Sequence, residues 1–214
     1  IASFIIAINN CSQGARFSNF ASDYNSSIQS FIKSVDWRVK NLIFSKNLNL
    51  KFKNKLIQLK NTINRLWRNE KNKINSEFSL SEIKQNSQLY LSPSDIGFHN
   101  ILIDKKKLFF IDFEYSGLDD LVKLINDFFI CPSASIPNNL RENFILELNK
   151  SFKFDNFFYR RLNILEKAYK IKWSCILLNE YLTISEARRK FSEEKEKNTI
   201  SYEQYDKSLS LLLS

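Results

Sequence analysis

Two long stretches of this chain repeat apolar residues at helical spacing, and they constrain its fold more than anything else in it. Over 23–44 the repeat is Ile28, Phe31, Ile32, Val35, Val39, Leu42 and Ile43; over 50–78 it is Phe52, Leu56, Leu59, Ile63, Leu66 and Ile74. Residues three and four apart share one side of a helix, whereas a strand would turn alternate residues to opposite faces. Two such stripes need cover, and packing them against each other as an antiparallel pair over about 22–78 supplies it. Ser22 or Asp23 suits the cap of the first helix. Gly and Pro number three each, too few for a turn-rich all-β fold. Trp37 and Trp173, on helical stripes, are expected in the core.

The rest of the chain continues this pattern with one interruption. Residues 79–87 are polar and read as a connector. Short apolar runs at 100–103 and 108–111 flank a polar tip at 104–107, as in a small β-hairpin. A helix capped by Asp119 or Asp120 runs through Phe129 and stops before Pro132. Further helices are expected at 139–151, 156–170, 171–181, 185–194 and 202–213. The fold class is therefore mainly α with a small β-hairpin, and 1–214 reads as a single domain with a catalytic-type loop and hairpin at about 89–113 and helices over about 119–213.

Composition narrows the setting. Hydrophobic residues make up 43%, enough for a sizeable core and against global disorder. Net charge is +9, with nine Lys/Arg between Lys46 and Lys73 against one acid, Glu70. That run suits either an anion-binding face or the wet side of an amphipathic helix. Cys11, Cys131 and Cys175 are far apart with no CxxC, which argues against a disulfide framework or a zinc site and fits a reducing, cytoplasmic setting. The opening apolar run "IASFIIAI" is too short to span a bilayer, lacks a basic leader and reads as a buried helix, so no membrane association is expected. The chain starts at Ile1 and contains no Met, as an internal piece of a longer protein would.

The interruption, "SPSDIGFHNILIDKKKLFFIDFEY" (92–115), holds the only histidine, His99, with Asp95, Asn100 and Asp112. Asp95 and Asn100 are separated by four residues, and Asp112 ends the second apolar run. Phosphoryl transfer uses such a set: one carboxylate accepts the proton of an attacking hydroxyl, while an amide oxygen and a second carboxylate hold Mg²⁺ against nucleotide phosphates. The hairpin would bring Asn100 and Asp112 to the same end of two paired strands. The spacing alone leaves open an unrelated loop Asp, turn Asn and strand-end Asp.

"SPSDIGFHN" and "FIDFEYSGLDD" resemble the catalytic core of aminoglycoside phosphotransferase and choline kinase-like enzymes, whose common form is H-G-D-x-x-x-x-N followed by I-D-[FW]-[EG]. They are most similar to an uncharacterised bacterial phosphotransferase subgroup with an S-P-S-D-F-G-F-H-N-type loop. "ASDYNSSIQSFIKSVDWRVKNL" resembles that subgroup's first long helix, and "IKWSCILLNEYL" with "ARRKF" its late helices. Pro93-Ser94 replaces the usual His-Gly, and Leu121 stands where many members have Pro. The resemblance implies the C-terminal lobe of a protein-kinase-like fold, with Asp95 as catalytic base, Asn100 and Asp112 as metal ligands, and ATP and Mg²⁺ as cofactors. No Gly-rich phosphate loop or β-rich lobe precedes Asp95, so the N-terminal lobe is expected to be missing and this chain to be inactive alone.

His99 suits either a substrate- or phosphate-positioning role or a loop histidine bonded to backbone. Glu114, Asp119 and Asp120 could meet a hydroxylated or cationic substrate; Asp119 and Asp120 could instead only cap a helix. Residues 113–118 are too short a link to build the peptide platform of a protein kinase. The expected function is thus ATP-dependent phosphorylation of a hydroxyl on a small-molecule acceptor: a sugar, amino sugar, aminoglycoside or amino alcohol. Two rivals come from other classes: a catalytically dead kinase-like binding protein and a basic helical nucleic-acid-binding protein. The intact Asp95, Asn100 and Asp112 argue against the first, and the lack of a nucleic-acid motif against the second. Oligomeric state is open.

Overall fold

The computed structural model describes residues 1–12, 19–132, 136–184 and 202–214. In chain order the elements are α1 (Ala2–Cys11), α2 (Ile28–Lys40), α3 (Leu50–Glu77), α4 (Leu80–Lys84), β1 (Tyr90–Ser92), β2 (Ile101–Asp104), β3 (Lys107–Phe110), β4 (Gly117–Asp119), α5 (Leu121–Ile130), α6 (Asn138–Phe152), α7 (Asn156–Ile164), α8 (Glu166–Leu177) and α9 (Glu203–Leu213), with 3-10 turns at Phe98–Asn100 and Leu178–Tyr181. The fold is mainly α with a small β-hairpin, as the patterning predicts. The expected helix at 185–194 lies outside the described residues. Two compact units are present: Ile1–Ser30 with Ser81–Glu166, and Phe31–Leu80 with Lys167–Ser214.

The second unit is helical. Asp36 on α2 accepts hydrogen bonds from Trp67 Nε1 (2.7 Å) and Lys71 Nζ (2.6 Å) of α3, while Lys60 Nζ donates to the Leu42 carbonyl (2.7 Å). As the chain advances from Asp36 to Leu42, its partners move back from Lys71 and Trp67 to Lys60, so α2 and α3 run antiparallel. Asn49 caps α3 by accepting from Phe52 N (2.8 Å), and Phe52 packs edge-on to Tyr181, Tyr202 and Tyr205. Two core expectations are corrected. Trp37 is 61% exposed, because Val35 and Val39 hold the buried side of α2 and a residue between them points the other way. Ile43 is equally exposed, since α2 stops at Lys40 and the stripe loses its helical phase. On α3 the buried row passes through Trp67 and Glu70, with Leu66 at its margin.

The first unit carries all four described strands. Neither Ser22 nor Asp23 caps α2: Asp23 sits in a left-handed turn (φ 56°), and Ser27 and Ser30 exchange side chain-to-backbone bonds of 3.2 and 2.9 Å at the helix start. The opening apolar run is helical, but only Ala2 and Ile5 are buried. Asn9 of α1 brackets β1, donating to the Leu91 carbonyl and accepting from the Leu91 N–H, both at 2.9 Å. β1 pairs antiparallel with β4, a two-stranded sheet the sequence reading did not anticipate. Residues 19–21 lie along β4, with Ala21 N donating to Leu118 O (3.0 Å) and Leu118 N to Asn19 O (2.9 Å). Gly117 permits this approach: a Cβ there would lie 2.6 Å from both Ala21 N and Phe20 C. The expected helices at 156–170 and 171–181 break instead at Leu165, giving α7 and α8. No disulfide joins the three cysteines, and no described helix is long and apolar enough to cross a membrane.

Candidate functional site

β1 ends at Ser92, fully buried, whose Oγ accepts from Ser94 N (3.0 Å). Ser94 adopts a left-handed conformation (φ 62°), and Asp95 N then turns back onto the Pro93 carbonyl (2.8 Å). Gly97 opens the 3-10 turn, closed by Asn100 N donating to Gly97 O (3.0 Å). Asn100, itself buried, reaches back to donate Nδ2 to the Asp95 carbonyl (3.0 Å). A gap of four residues is what this closure spans. The bond engages the nitrogen of the amide, and among the described residues no protein donor occupies its oxygen.

Beyond Asn100 the hairpin begins. β2 and β3 pair Ile101 with Phe110 through Asp104 with Lys107, and the tip residues Lys105 and Lys106 are both left-handed, as a two-residue primed turn requires. Ile111 N donates to Asn100 O (3.0 Å), adding one more rung. Asp112 follows at once, so Asn100 and Asp112 sit at the same end of the two strands. Asp112 is left-handed as well (φ 61°), a conformation that Asp tolerates better than most residues.

The Tyr115 hydroxyl is held above the ordinary phenol range, first by its hydrogen bond to Glu114, then by the Glu114 charge, some burial, and the carboxylates of Asp112 and Asp95. His99 Nε2 approaches Asp95 Oδ2 at 3.3 Å, with both side chains about half-exposed. Tyr115 was not singled out from the sequence; its place beside Glu114 was the available signal.

Asp119 and Asp120 are buried and turned inward. Asp119 accepts from Lys123 Nζ (2.7 Å) and from Asp120 N (2.9 Å). Burial works against the Lys123 ammonium, but Asp127, Asp119 and Asp23 outweigh it and its pKa rises. Asp120 caps α5 by accepting from Val122 N (3.0 Å), and its second oxygen takes a short hydrogen bond from Arg161 of α7. Neither carboxylate is thereby free for a substrate.

The hairpin has two faces. On one, Phe110 stacks on Phe4 of α1 (3.9 Å between centroids). On the other, the cross-strand pair Leu102 and Phe109, 54% and 48% exposed, continues to Ile111, 40% exposed, beside Asp112.

No protein-family model and no curated protein matches the chain. Among solved structures it is similar to a choline kinase from Cryptosporidium parvum Iowa II, at 15% identity over 99% of this chain and 64% of that one, with a TM-score of 0.41. It is similar too to a Plasmodium vivax ethanolamine kinase (14% identity, 100% of this chain and 58% of that one, TM-score 0.46). A third is a spectinomycin phosphotransferase in complex with ADP and spectinomycin (14% identity, 98% and 64%, TM-score 0.44). The chain thus spans 58–64% of the length of these solved chains.

Proposed function

We propose that this chain is the C-terminal lobe of a kinase-like, ATP-dependent phosphotransferase that acts on a hydroxyl of a small molecule such as a sugar, amino sugar, aminoglycoside or amino alcohol. The observation that carries the reading is the rung from Ile111 N to Asn100 O, which pairs Asn100 with the residue before Asp112 at one end of the hairpin, while Asn100 Nδ2 bonds to the Asp95 carbonyl. In this reading Asp95 accepts the proton of the acceptor hydroxyl. The hydroxyl oxygen bonds to the γ-phosphorus as the bond to the departing ADP oxygen breaks.

The residues present fit Mg²⁺. The Asn100 amide oxygen and the exposed Asp112 carboxylate are hard oxygen donors. No group of three or more His, Cys, Asp or Glu gathers for a metal among the described residues, so these two would hold the ion together with water and phosphate, the manner in which Mg²⁺ usually binds. The ion would neutralise charge on the phosphates. The exposed face of Leu102, Phe109 and Ile111 offers an apolar floor for a nucleotide base next to those ligands. Glu114, with Tyr115, faces the acceptor; the substrate role considered for Asp119 and Asp120 passes to Glu114, because their oxygens serve Lys123, Val122 and Arg161.

Two measurements test this: metal binding by the chain itself, and turnover by a longer protein in which an N-terminal lobe is restored, since the chain alone is expected to be inactive. Mn²⁺ titrated into isotopically labelled protein, with and without ADP, should broaden the amide signals around Asn100 and Asp112 first, and Asp112→Asn should abolish that. Broadening centred elsewhere, or unchanged in the variant, refutes the metal site. In that longer protein, release of ADP from ATP and Mg²⁺, screened against sugars, amino sugars, amino alcohols and a generic protein, should be driven by a small molecule and fall by about 10²–10⁴ in Asp95→Asn. Metal binding with every acceptor inert would favour a binding protein without catalysis.

A further inference from the structure

We infer that His99 is a positioning residue: its imidazole holds the Asp95 carboxylate, and residue 97 is glycine to leave room for the ring. The inference rests on Asp95 being the base, and it assigns His99 to Asp95, not to substrate or phosphate.

The first observation is the contact itself, His99 Nε2 to Asp95 Oδ2 at 3.3 Å. The main chain of Asp95 is fixed by Pro93 O and by Asn100 Nδ2. Its carboxylate has only His99 as a side-chain partner among the described residues. A half-exposed carboxylate with no partner would sample several rotamers. With Oδ2 engaged, Oδ1 is left to face an acceptor hydroxyl.

The second observation is the space over Gly97. A Cβ there would lie 2.3 Å from His99 Cε1 and 2.5 Å from Nδ1, closer than real contacts allow. The backbone of Gly97 (φ −62°, ψ 159°) is one any residue adopts, so conformational freedom does not explain the glycine. The ring lying on it does. Alanine at 97 would fold without strain and would push the imidazole off, away from Asp95.

An exposed pair of this kind adds little to stability, so its effect belongs to the orientation of the carboxylate. His99 is the only histidine, which gives an unambiguous probe. Long-range ¹H–¹⁵N spectra of its ring should report a protonated Nε2, the tautomer that can donate to Asp95. Asp95→Asn and Gly97→Ala should each move the ring signals. Ring signals indifferent to both substitutions would overturn the inference, whether or not the chain turns over ATP.

Turnover of the longer protein with its N-terminal lobe restored supplies the second readout. His99→Ala should lower kcat by about ten-fold with little change in KM for ATP and in the unfolding midpoint. His99→Gln, whose amide can donate to the same oxygen, should recover most of the loss. Gly97→Ala should match His99→Ala, and the double variant should be no worse than either alone. Additive losses, or a glutamine as poor as alanine, would overturn the inference. Coupled ring signals with a fully active Asp95→Asn would support the contact while removing Asp95 from its role as base, so the two readings fail separately.

Discussion

Asp120→Ala removes a carboxylate that caps one helix and neutralises an arginine on another. One oxygen accepts from Val122 N at the start of α5 (3.0 Å), and the other takes the short hydrogen bond from Arg161 Nη1. Both side chains are at least nine-tenths buried (Arg161 7% and Asp120 10% exposed). Losing the cap costs about 1 kcal/mol. Losing the charge leaves the Arg161 guanidinium buried with only Ser87 Oγ (2.8 Å) and the face of Phe157 (5.1 Å to the centroid), at about 3–5 kcal/mol. Asp120→Ala should therefore cost about 4–6 kcal/mol, a large part of a domain's total of roughly 5–15. Asp120→Asn retains a good cap and discards the charge, so it should cost about 3 kcal/mol. Combining Asp120→Asn with Arg161→Met should recover most of that loss, since replacing a buried pair outright is often neutral. Urea unfolding followed by circular dichroism, with unchanged m-values, measures all three. Asp120→Asn within about 0.5 kcal/mol of wild type, or a double variant as unstable as the sum of its parts, would refute the claim that the carboxylate's main task is to neutralise Arg161.

Gly117→Ala should cost about 2–4 kcal/mol in the same assay, because its Cβ would meet the backbone of Phe20 and Ala21 at 2.6 Å and force residues 19–21 off β4; a neutral effect would show that this approach is not tight. The cysteines should separate by reactivity toward a thiol reagent in native buffer: exposed Cys11 first, Cys131 more slowly, and Cys175 only on unfolding. Burial pushes the Cys175 thiol up to about 12, above the roughly 8.5 of an unfolded cysteine, so the native state keeps that proton longer. The sign follows: stability falls as pH rises from about 9 toward 12, and a flat profile there, or early labelling of Cys175, would contradict the burial.

Much of the helical framework was legible because a stripe needs only spacing. On α3 the buried row at 52, 56, 59, 63, 67, 70 and 74 is helical throughout, yet it includes Glu70 and prefers Trp67 to Leu66. Hydrophobicity alone misplaces one residue and omits the other, since a residue's angular position decides its burial and its polarity does not. The hairpin was legible from two apolar runs, but not the exposure of Leu102, Ile103, Leu108 and Phe109, which depends on what packs against each face. β1 and β4 were missed because strands of three residues, Tyr90–Ser92 and Gly117–Asp119, are too short to show alternation. At the site, a four-residue gap is visible in sequence as spacing, whereas the bond it permits, Asn100 Nδ2 to the Asp95 carbonyl, is not. The partner of Asp120 is 41 residues away, and no local pattern points to Arg161.

The strained residues show why the two sheets matter to the site. Ser94 and Asp112 are both non-glycine and left-handed, and each adjoins a proposed functional group. Each costs about 1–2 kcal/mol and persists only where neighbours over-determine it. Ser94 is held between the Ser92 Oγ bond and the bond from Asp95 N to Pro93 O. The segment carrying Asp112 is anchored at one end by Ile111 N to Asn100 O, and at the other by Ser22 N to Tyr115 O and Leu118 N to Asn19 O. At about 1 kcal/mol each, three such bonds offset the strain of one left-handed residue. The carboxylate of Asp112 thus stands on a turn fixed from both sides, an arrangement suited to holding charge in place without reorganisation. Loosening the far anchor, as Gly117→Ala does, should then weaken Mn²⁺ binding at Asp112 even where the protein remains folded.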